Sequence, residues 1–428
     1  MTLRRFLYIT PYFPPLGRVG ALRPLKFARH LPRHGWAPVV LCDWWPGATL
    51  SGRLTDFVPP EATVIRAYSR RAQGCDAALA AHLAQPQAGP AARTPPAKRR
   101  RMSLPSFLNN PELIPLGEHS VHMGHATRAA RRALAAHPEC EAIVVNADPF
   151  AALLVGARLS RETGLPLIHD LRDPWSICDL RRPRRPAPIR ALVDWLEARA
   201  FRAASKIIIN SETALADYRA HYAGRLEPER FCRLRNHHDT DLISEGDHRG
   251  FQRFTLLFLG HFRRFVEGDV LLAHLAALKA RGHGDAQLVV TGQCPPESWA
   301  RAQEMGVSDM LVLHPFVPYA EIGAIMAQAD ILVALSNQTD QRIPAKLYDY
   351  FTSARPVLTF ADAPEIGRML EGNGGRLYGL DQAEPAADYV AELMAAGRHP
   401  EVERDGDAFS SARATARLAE ILHEVTAT

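Results

Sequence analysis

ADILVALSNQTDQRIPAKLYDYFTSARPVLTF, residues 329–360, reads as a buried strand, a polar loop, a helix entered through Pro344, a turn and a second buried strand. The apolar runs at both ends are too short for helices and show no alternation. They suit strands of a parallel sheet covered on both faces. Proline fits the first turn of a helix, where backbone N–H groups have no helical partner. Such a loop carries polar groups to the carboxyl end of the sheet and aims a helix amino terminus at whatever sits there, which is an arrangement for a diphosphate.

Working outward, the same alternation recurs along the chain. Strands are expected at Phe6–Thr10, Pro38–Cys42, Ala142–Asn146, Leu165–Asp170 and Lys206–Asn210, with helices at Leu22–Leu31, His119–Ala136, Pro149–Thr163 and Ile189–Ala204. The first helix is expected to be irregular near Pro32. A second set follows: strands Thr255–Leu259, Ala286–Val290, Met310–Leu313, Ile331–Leu335 and Pro356–Thr359, helices Asp269–Arg281 and Tyr319–Gln328, and a final helix Phe409–Val425. Alternating strands and helices mean parallel sheets with helices on both faces. The polar stretch His237–Gly250 separates the sets. The fold class is therefore α/β: two Rossmann-like parallel-sheet domains, residues 1–245 and 246–405, facing across a cleft, with a terminal helix over 406–428. Residues 85–105 are rich in Pro, Ala and Arg without apolar period and read as a mobile insertion.

With 428 residues, two domains are the starting expectation, and 47% hydrophobic with 23% charged content is that of a globular enzyme. A net charge of +5 does not suggest a nucleic-acid coat. Two basic clusters, Lys98–Arg101 and Arg181–Arg185, offer contact with anionic lipid or a phosphorylated acceptor, or are solvated loops. The six cysteines form no CxxC pair and have no zinc spacing with histidine, which suits a reducing cytoplasm. The opening apolar run is a first strand rather than a signal peptide, and no run approaches membrane-span length.

Four stretches, ITPYFPPLGRVGALRPLKFARHLPRHGW (9–36), NADPFAALLVGARLSRETGLPLIHDLRDPW (146–175), LVVTGQ (288–293) and IPAKLYDYFTSARPVL (343–358), occur in an order and spacing that resemble glycosyltransferase family four. The closest likeness is to its bacterial capsular and exopolysaccharide branch. That resemblance implies the two-domain GT-B fold and a retaining, metal-independent transferase. Its amino-terminal domain would bind the acceptor and its carboxy-terminal domain a nucleoside-diphosphate sugar, with no cofactor, and the terminal helix over 406–428 would cross back to the first domain.

The resemblance also places residues. The family's two glutamates, separated by seven residues, correspond to Gln341, near the transferred sugar, and Asp349, on the ribose hydroxyls. Gln341 can hydrogen-bond sugar hydroxyls but cannot balance a developing positive charge. Ala345 would present a backbone N–H and Lys346 a point charge to the leaving diphosphate. After Gly260 the family carries an arginine and, six residues on, a lysine; this chain has His261 and Glu267, leaving Arg263 or Arg264 to contact phosphate. Gly292 would open the nucleotide pocket, and the backbone at Phe316 and Val317 would read the base.

In the first domain, Gly17 and Gly20 flank the loop before the first helix and suit close approach to a phosphate or sugar. Asn146 and Asp148 end a strand on the acceptor side. IHDLRDPW (168–175) admits two alignments: one puts His169 and Asp170 against the transferred sugar, the other Arg172 and Asp173. The RDPW pattern favours Asp173 as the catalytic-side carboxylate.

The expected activity is sugar transfer from a nucleotide-sugar to a hydroxyl of a lipid-linked saccharide. It would take place in the cytoplasm or at the inner face of its membrane, where Lys98–Arg101 would contact anionic lipid. The departures at Gln341, His261 and Glu267 also fit a non-catalytic GT-B partner of a glycan assembly complex. A nucleotide-sugar epimerase on the same fold is the third reading.

Overall fold

The computed structural model describes residues 2–44, 52–72, 79, 81, 115–116, 118–147, 149–243, 250–262, 267–336, 339 and 341–427. The segment 85–105, with Lys98–Arg101, lies outside the described residues. The chain forms two units. One runs to Asn236 and takes in the segment from Ser411; the other is His237–Ser410. The change of unit thus falls between Asn236 and His237, at the start of the polar stretch His237–Gly250 and ahead of residue 245. The reason is local: His237, His238 and Asp239 are buried, and the His238 N–H donates to Phe409 O at 2.9 Å. The residues that enter the second unit pair with those that leave it.

The first unit is a seven-stranded parallel sheet: β1 (Arg4–Ile9), β2 (Trp36–Cys42), β3 (Thr63–Arg66), β4 (Cys140–Ala147), β5 (Leu167–Leu171), β6 (Lys206–Ile209) and β7 (Phe231–Arg233), in the order β3-β2-β1-β4-β5-β6-β7. Its longer helices, among the described residues before the unit boundary, are α1 (Val19–His30), α2 (Met123–Ala136), α3 (Ala151–Thr163), α4 (Ala187–Phe201) and α5 (Glu212–His221). β2 is buried at every position, as a strand covered on both faces must be. α3 stops at Gly164 (φ +75°) in the left-handed conformation. α1 gives way at Pro32 to a 3₁₀ turn over Leu31–His34.

The second unit has six parallel strands: β8 (Thr255–Phe258), β9 (Gln287–Val290), β10 (Leu311–Leu313), β11 (Ile331–Ser336), β12 (Val357–Ala361) and β13 (Gly375–Tyr378), in the order β10-β9-β8-β11-β12-β13. Between and after them lie α6 (Glu267–Ala280), α7 (Pro296–Glu304), α8 (Ile322–Gln328), α9 (Ala345–Tyr350), α10 (Pro364–Leu370) and α11 (Ala383–Ala396). The last helix, α12 (Ser411–Thr426), belongs to the first unit. It buries Leu418, Ile421 and Leu422, and its His423 Nε2 accepts from Trp36 Nε1 at 3.2 Å.

Both sheets reverse their winding once, between β1 and β4 and between β8 and β11. In open parallel sheets the crevice at the carboxyl ends of these two strands is where ligands bind, because the flanking loops run in opposite directions.

A buried ion pair organises the first crevice. The Arg23 guanidinium on α1 meets both oxygens of Asp170 on β5, at 2.7 and 2.9 Å, and donates to Leu234 O and Arg235 O beyond β7. Asn146 Nδ2 on β4 donates to Asp170 Oδ2 at 2.8 Å. One carboxylate therefore joins α1, β4, β5 and the exit of β7. Removing one partner of such a pair leaves a buried charge unbalanced. R23M should destabilise the first unit by about 3–5 kcal/mol, read from urea unfolding followed by tryptophan fluorescence. A loss below about 1 kcal/mol would show that the pair does not secure α1.

Candidate functional site

At the second unit's switch point, three loops meet. β8 exits through Gly260, whose φ of +141° only glycine adopts readily. β9 exits through Thr291-Gly292-Gln293. A Cβ on Gly292 would stand 2.6 Å from Gly260 O and 2.7 Å from His261 Nδ1, so the two loops touch only because Gly292 has no side chain. They are also bonded: the Phe262 N–H donates to Gln293 O at 2.9 Å, and the Gln293 N–H donates to His261 Nδ1 at 2.7 Å. With Nδ1 accepting, the neutral His261 ring carries its proton on Nε2 and presents a donor there. His261 is exposed.

The third loop links β11 to α9. Tyr350, at the end of α9, ties that helix to the β8 exit and to β11: its hydroxyl accepts from the Leu259 N–H and donates to Val333 O, both at 3.0 Å. Lys346 Nζ lies 3.5 Å from the centre of the Phe258 ring, a cation–π contact, and 3.7 Å from where a Gly260 side chain would begin. The charged amine thus sits beside the β8 exit. α9 opens at Pro344 and spans only six residues. So short a helix aligns few peptide dipoles, and stabilisation of an anion here falls chiefly to Lys346 and the backbone N–H groups near Ala345.

Gln341 is only 7% exposed, and its N–H donates to Thr339 Oγ1 at 3.4 Å. Asp349 is likewise 7% exposed and accepts from the Tyr319 hydroxyl at 2.6 Å. Burial and this carboxylate push the acid dissociation of Tyr319 far above its ordinary range. Sequence reading missed Tyr319, which lies on the turn before α8. Phe316, 67% exposed, follows β10; Val317 is half-buried beside it. Glu267 begins α6. Arg263 and Arg264 lie outside the described residues.

In the first unit, Gly17 is in the β1–α1 loop, while Gly20 is already the second residue of α1 and buried. A Cβ on Gly20 would stand 2.9 Å from the Tyr12 ring and 3.0 Å from the Arg172 guanidinium. Its space is therefore occupied by Arg172 and is not an open phosphate cradle. Arg172 Nε also donates to Ala147 O at 3.3 Å, and Asn210 donates to the Arg172 carbonyl. Gly20 and Arg172, separate in the sequence reading, meet at the β1–β4 switch point. Asp148 lies outside the described residues.

The two alignments of IHDLRDPW separate cleanly. His169 and Asp170 are inside β5 and fully buried. His169 Nε2 bonds Ala200 O at 3.3 Å and its ring packs near Phe201. It is a core group rather than one set against a sugar, and Asp170 serves Arg23. Arg172 and Asp173 stand past the strand end, each half-buried.

The loop they begin is held from below by Glu197 on α4. This fully buried carboxylate accepts from Ser176 N and Oγ, Tyr218 and Tyr222; burial raises its pKa against these bonds. Trp175 N–H donates to the Tyr218 hydroxyl at 2.8 Å. Arg182 and Arg185 donate to Ser176 O and Trp175 O, so these two members of the Arg181–Arg185 cluster brace the loop. Among the described residues, no group of three or more His, Cys, Asp or Glu is placed to hold a metal ion.

Two outcomes follow from this geometry. G292A should push the β8 and β9 exits apart and lower nucleoside-diphosphate affinity at least tenfold, measured by calorimetry; unchanged affinity would separate this contact from binding. Burial holds the His169 pKa down to about 3, below its unfolded value of about 6.5. Its neutral form is native, so this contribution to stability is full above the unfolded value and is lost as pH falls from 6.5 towards 3. H169L should flatten the pH dependence of unfolding in that window by up to about 1.4 kcal/mol per pH unit. An unaltered slope would contradict the core assignment.

Residues 253–396 match the family described as Glycosyl transferases group 1. No curated protein sequence matches the chain. Solved structures do. A sucrose-phosphate synthase from Thermosynechococcus elongatus superposes with TM-score 0.67 at 14% identity, covering 99% of each chain. Anabaena HepE in complex with UDP gives 0.62 at 14% identity, covering 99% of this chain and 100% of that one. WaaG, a glycosyltransferase involved in lipopolysaccharide biosynthesis, gives 0.55 at 16%, covering 99% and 97%. Identities this low speak for the fold alone. The chain has the two-domain GT-B fold, and the stretch similar to the group 1 glycosyl transferases lies within its second unit.

Proposed function

We propose that the protein is a retaining glycosyltransferase that moves a sugar from a nucleoside-diphosphate sugar to a hydroxyl of a saccharide acceptor. The acceptor in this reading is lipid-linked, and the product a bacterial surface glycan such as a capsule or exopolysaccharide, made in the cytoplasm without a metal. The observation that carries it is the convergence of Gly260, His261, Gly292 and Lys346 at the β8–β11 switch point, inside the matched domain.

In this mechanism the diphosphate lies over the glycine pair, with Lys346 and the His261 Nε2–H opposite its charge. The acceptor hydroxyl attacks the anomeric carbon on the face that carries the phosphate. As the carbon–phosphate-oxygen bond breaks and the new glycosidic bond forms, the hydroxyl proton passes to a phosphate oxygen. The protein positions the reactants and stabilises the leaving charge. Gln341 holds sugar hydroxyls, Asp349 the ribose, oriented by Tyr319, and the backbone beside Phe316 and Val317 the base. Arg172 and Asp173 of the first unit take the acceptor side, together with the loop at Gly17.

A second reading has its own support. Neutral Gln341, and His261 and Glu267 where related chains carry cations, suit a nucleotide-binding partner without turnover. Initial velocities with UDP-, GDP-, ADP- and TDP-sugars and lipid-linked acceptors decide between them. D349A should lower kcat/KM for the donor by about 10–100-fold, the loss of a charged hydrogen bond of about 1.5–3 kcal/mol. Y319F, which removes only the orienting bond, should cost about tenfold or less. Tight nucleotide binding without turnover, or D349A with wild-type velocity, would sink the catalytic reading; donor conversion without acceptor would indicate an epimerase.

A further inference from the structure

α4 is two-faced in a way the chemistry above does not use. Its inner side buries Val193, Glu197, Ala200 and Phe201. On the opposite side Pro188, Leu192, Trp195 and Arg199 recur at i, i+4, i+7 and i+11, a single stripe within roughly 60° of arc, and all are exposed. Leu192 is 42% and Trp195 55% exposed. The Arg199 guanidinium lies over the Trp195 ring, 5.7 Å from its centre. Exposed arginines stand beyond both ends, Arg184 before the helix and Arg202 after it. The acids of α4 do not oppose them: Glu197 is interior, and Asp194 is clasped by Arg182 at 2.7 and 3.1 Å.

We propose that this stripe docks on an anionic phospholipid surface. Leu192 and Trp195 enter the boundary between head groups and acyl chains, while Arg184, Arg199 and Arg202 meet lipid phosphates. Three features favour lipid over protein. The helix is roughly 22 Å long and presents one row of side chains, which falls short of the about 800 Å² per partner of a standard protein interface. Tryptophan beside leucine, flanked by arginine, is the composition of an interfacial helix. The charge is of one sign, complementary to anionic lipid. Among the described residues no helix is long and apolar enough to cross a membrane, so attachment here is lateral. None of these residues has a place in the nucleotide or sugar site, so this inference and the transferase reading can fail independently.

The test is co-sedimentation of the full chain with phosphatidylcholine vesicles, with and without phosphatidylglycerol, at low and high salt. Wild type should bind only the anionic vesicles and be released by salt. L192A/W195A should bind at least tenfold more weakly, and R184A/R199A/R202A roughly a hundredfold, with melting temperatures close to wild type. Should the apolar pair fail to fold, the arginine variant and W195F carry the test; a tryptophan emission blue shift on anionic vesicles is expected in wild type and should be diminished in W195F. The proposal is overturned if wild type ignores anionic vesicles, or if both variants bind as wild type does, which would move any attachment to another basic segment such as residues 98–101. It is equally overturned if the apolar pair alters self-association in the absence of lipid and leaves vesicle binding intact.

Discussion

The contact between two glycines, Gly260 and Gly292, sets the geometry of the second unit's functional end. Any side chain at Gly292 would collide with the Gly260 carbonyl and the His261 ring. Because Gly292 has none, the exits of β8 and β9 lie against each other and the Gln293 N–H reaches His261; Lys346 lies at the edge of the same loop. Tyr350 then ties this loop to β11 through two backbone groups. Among the described residues, the His261 ring and the Lys346 ammonium thus lie beside the two glycines near the point where the parallel sheet reverses its winding. The stretch similar to the group 1 glycosyl transferases spans this point.

The first unit uses buried charge where the second uses close backbone approach. Asp170 and Glu197 are both carboxylates at the unit's interior, and each is satisfied by several donors from different elements. Asp170 fixes α1 and the chain beyond β7. Glu197 fixes the loop that starts at Arg172. Such groups contribute little net stability as pairs, but they leave the loops few alternative positions. Arg172, lying over Gly20, closes the space that glycine would otherwise open. The position of the loop that starts at Arg172 is thus set by charges that sit one layer below the surface.

Much of this was legible in the sequence. Pro344 with the polar run before it located the β11–α9 loop, and unbroken apolar runs located the central strands. β3, β7 and β13 escaped because edge strands are only partly buried: TVIR and GRLY have no fully buried position, so no apolar run marks them. One of the two alignments put His169 on the sugar side, because a strand end and its interior are adjacent in sequence; only burial separates His169 from Arg172. The Tyr319–Asp349 bond and the Arg172–Gly20 contact join distant segments, and no local spacing announces either. The two units followed from alternation, and their junction falls at the first residue of the polar stretch His237–Gly250, although within that stretch His237, His238 and Asp239 are buried rather than surface groups.

The central claim is that a nucleoside diphosphate lies across the Gly260–Gly292 contact. Amide hydrogen exchange measures it directly, using whichever of UDP, GDP, ADP and TDP raises the melting temperature most. Protection is expected at Gly260–His261, Gly292–Gln293 and Ala345–Lys346, with little change in the first unit. Protection confined to other segments, or none at these three despite saturating nucleotide, would contradict it.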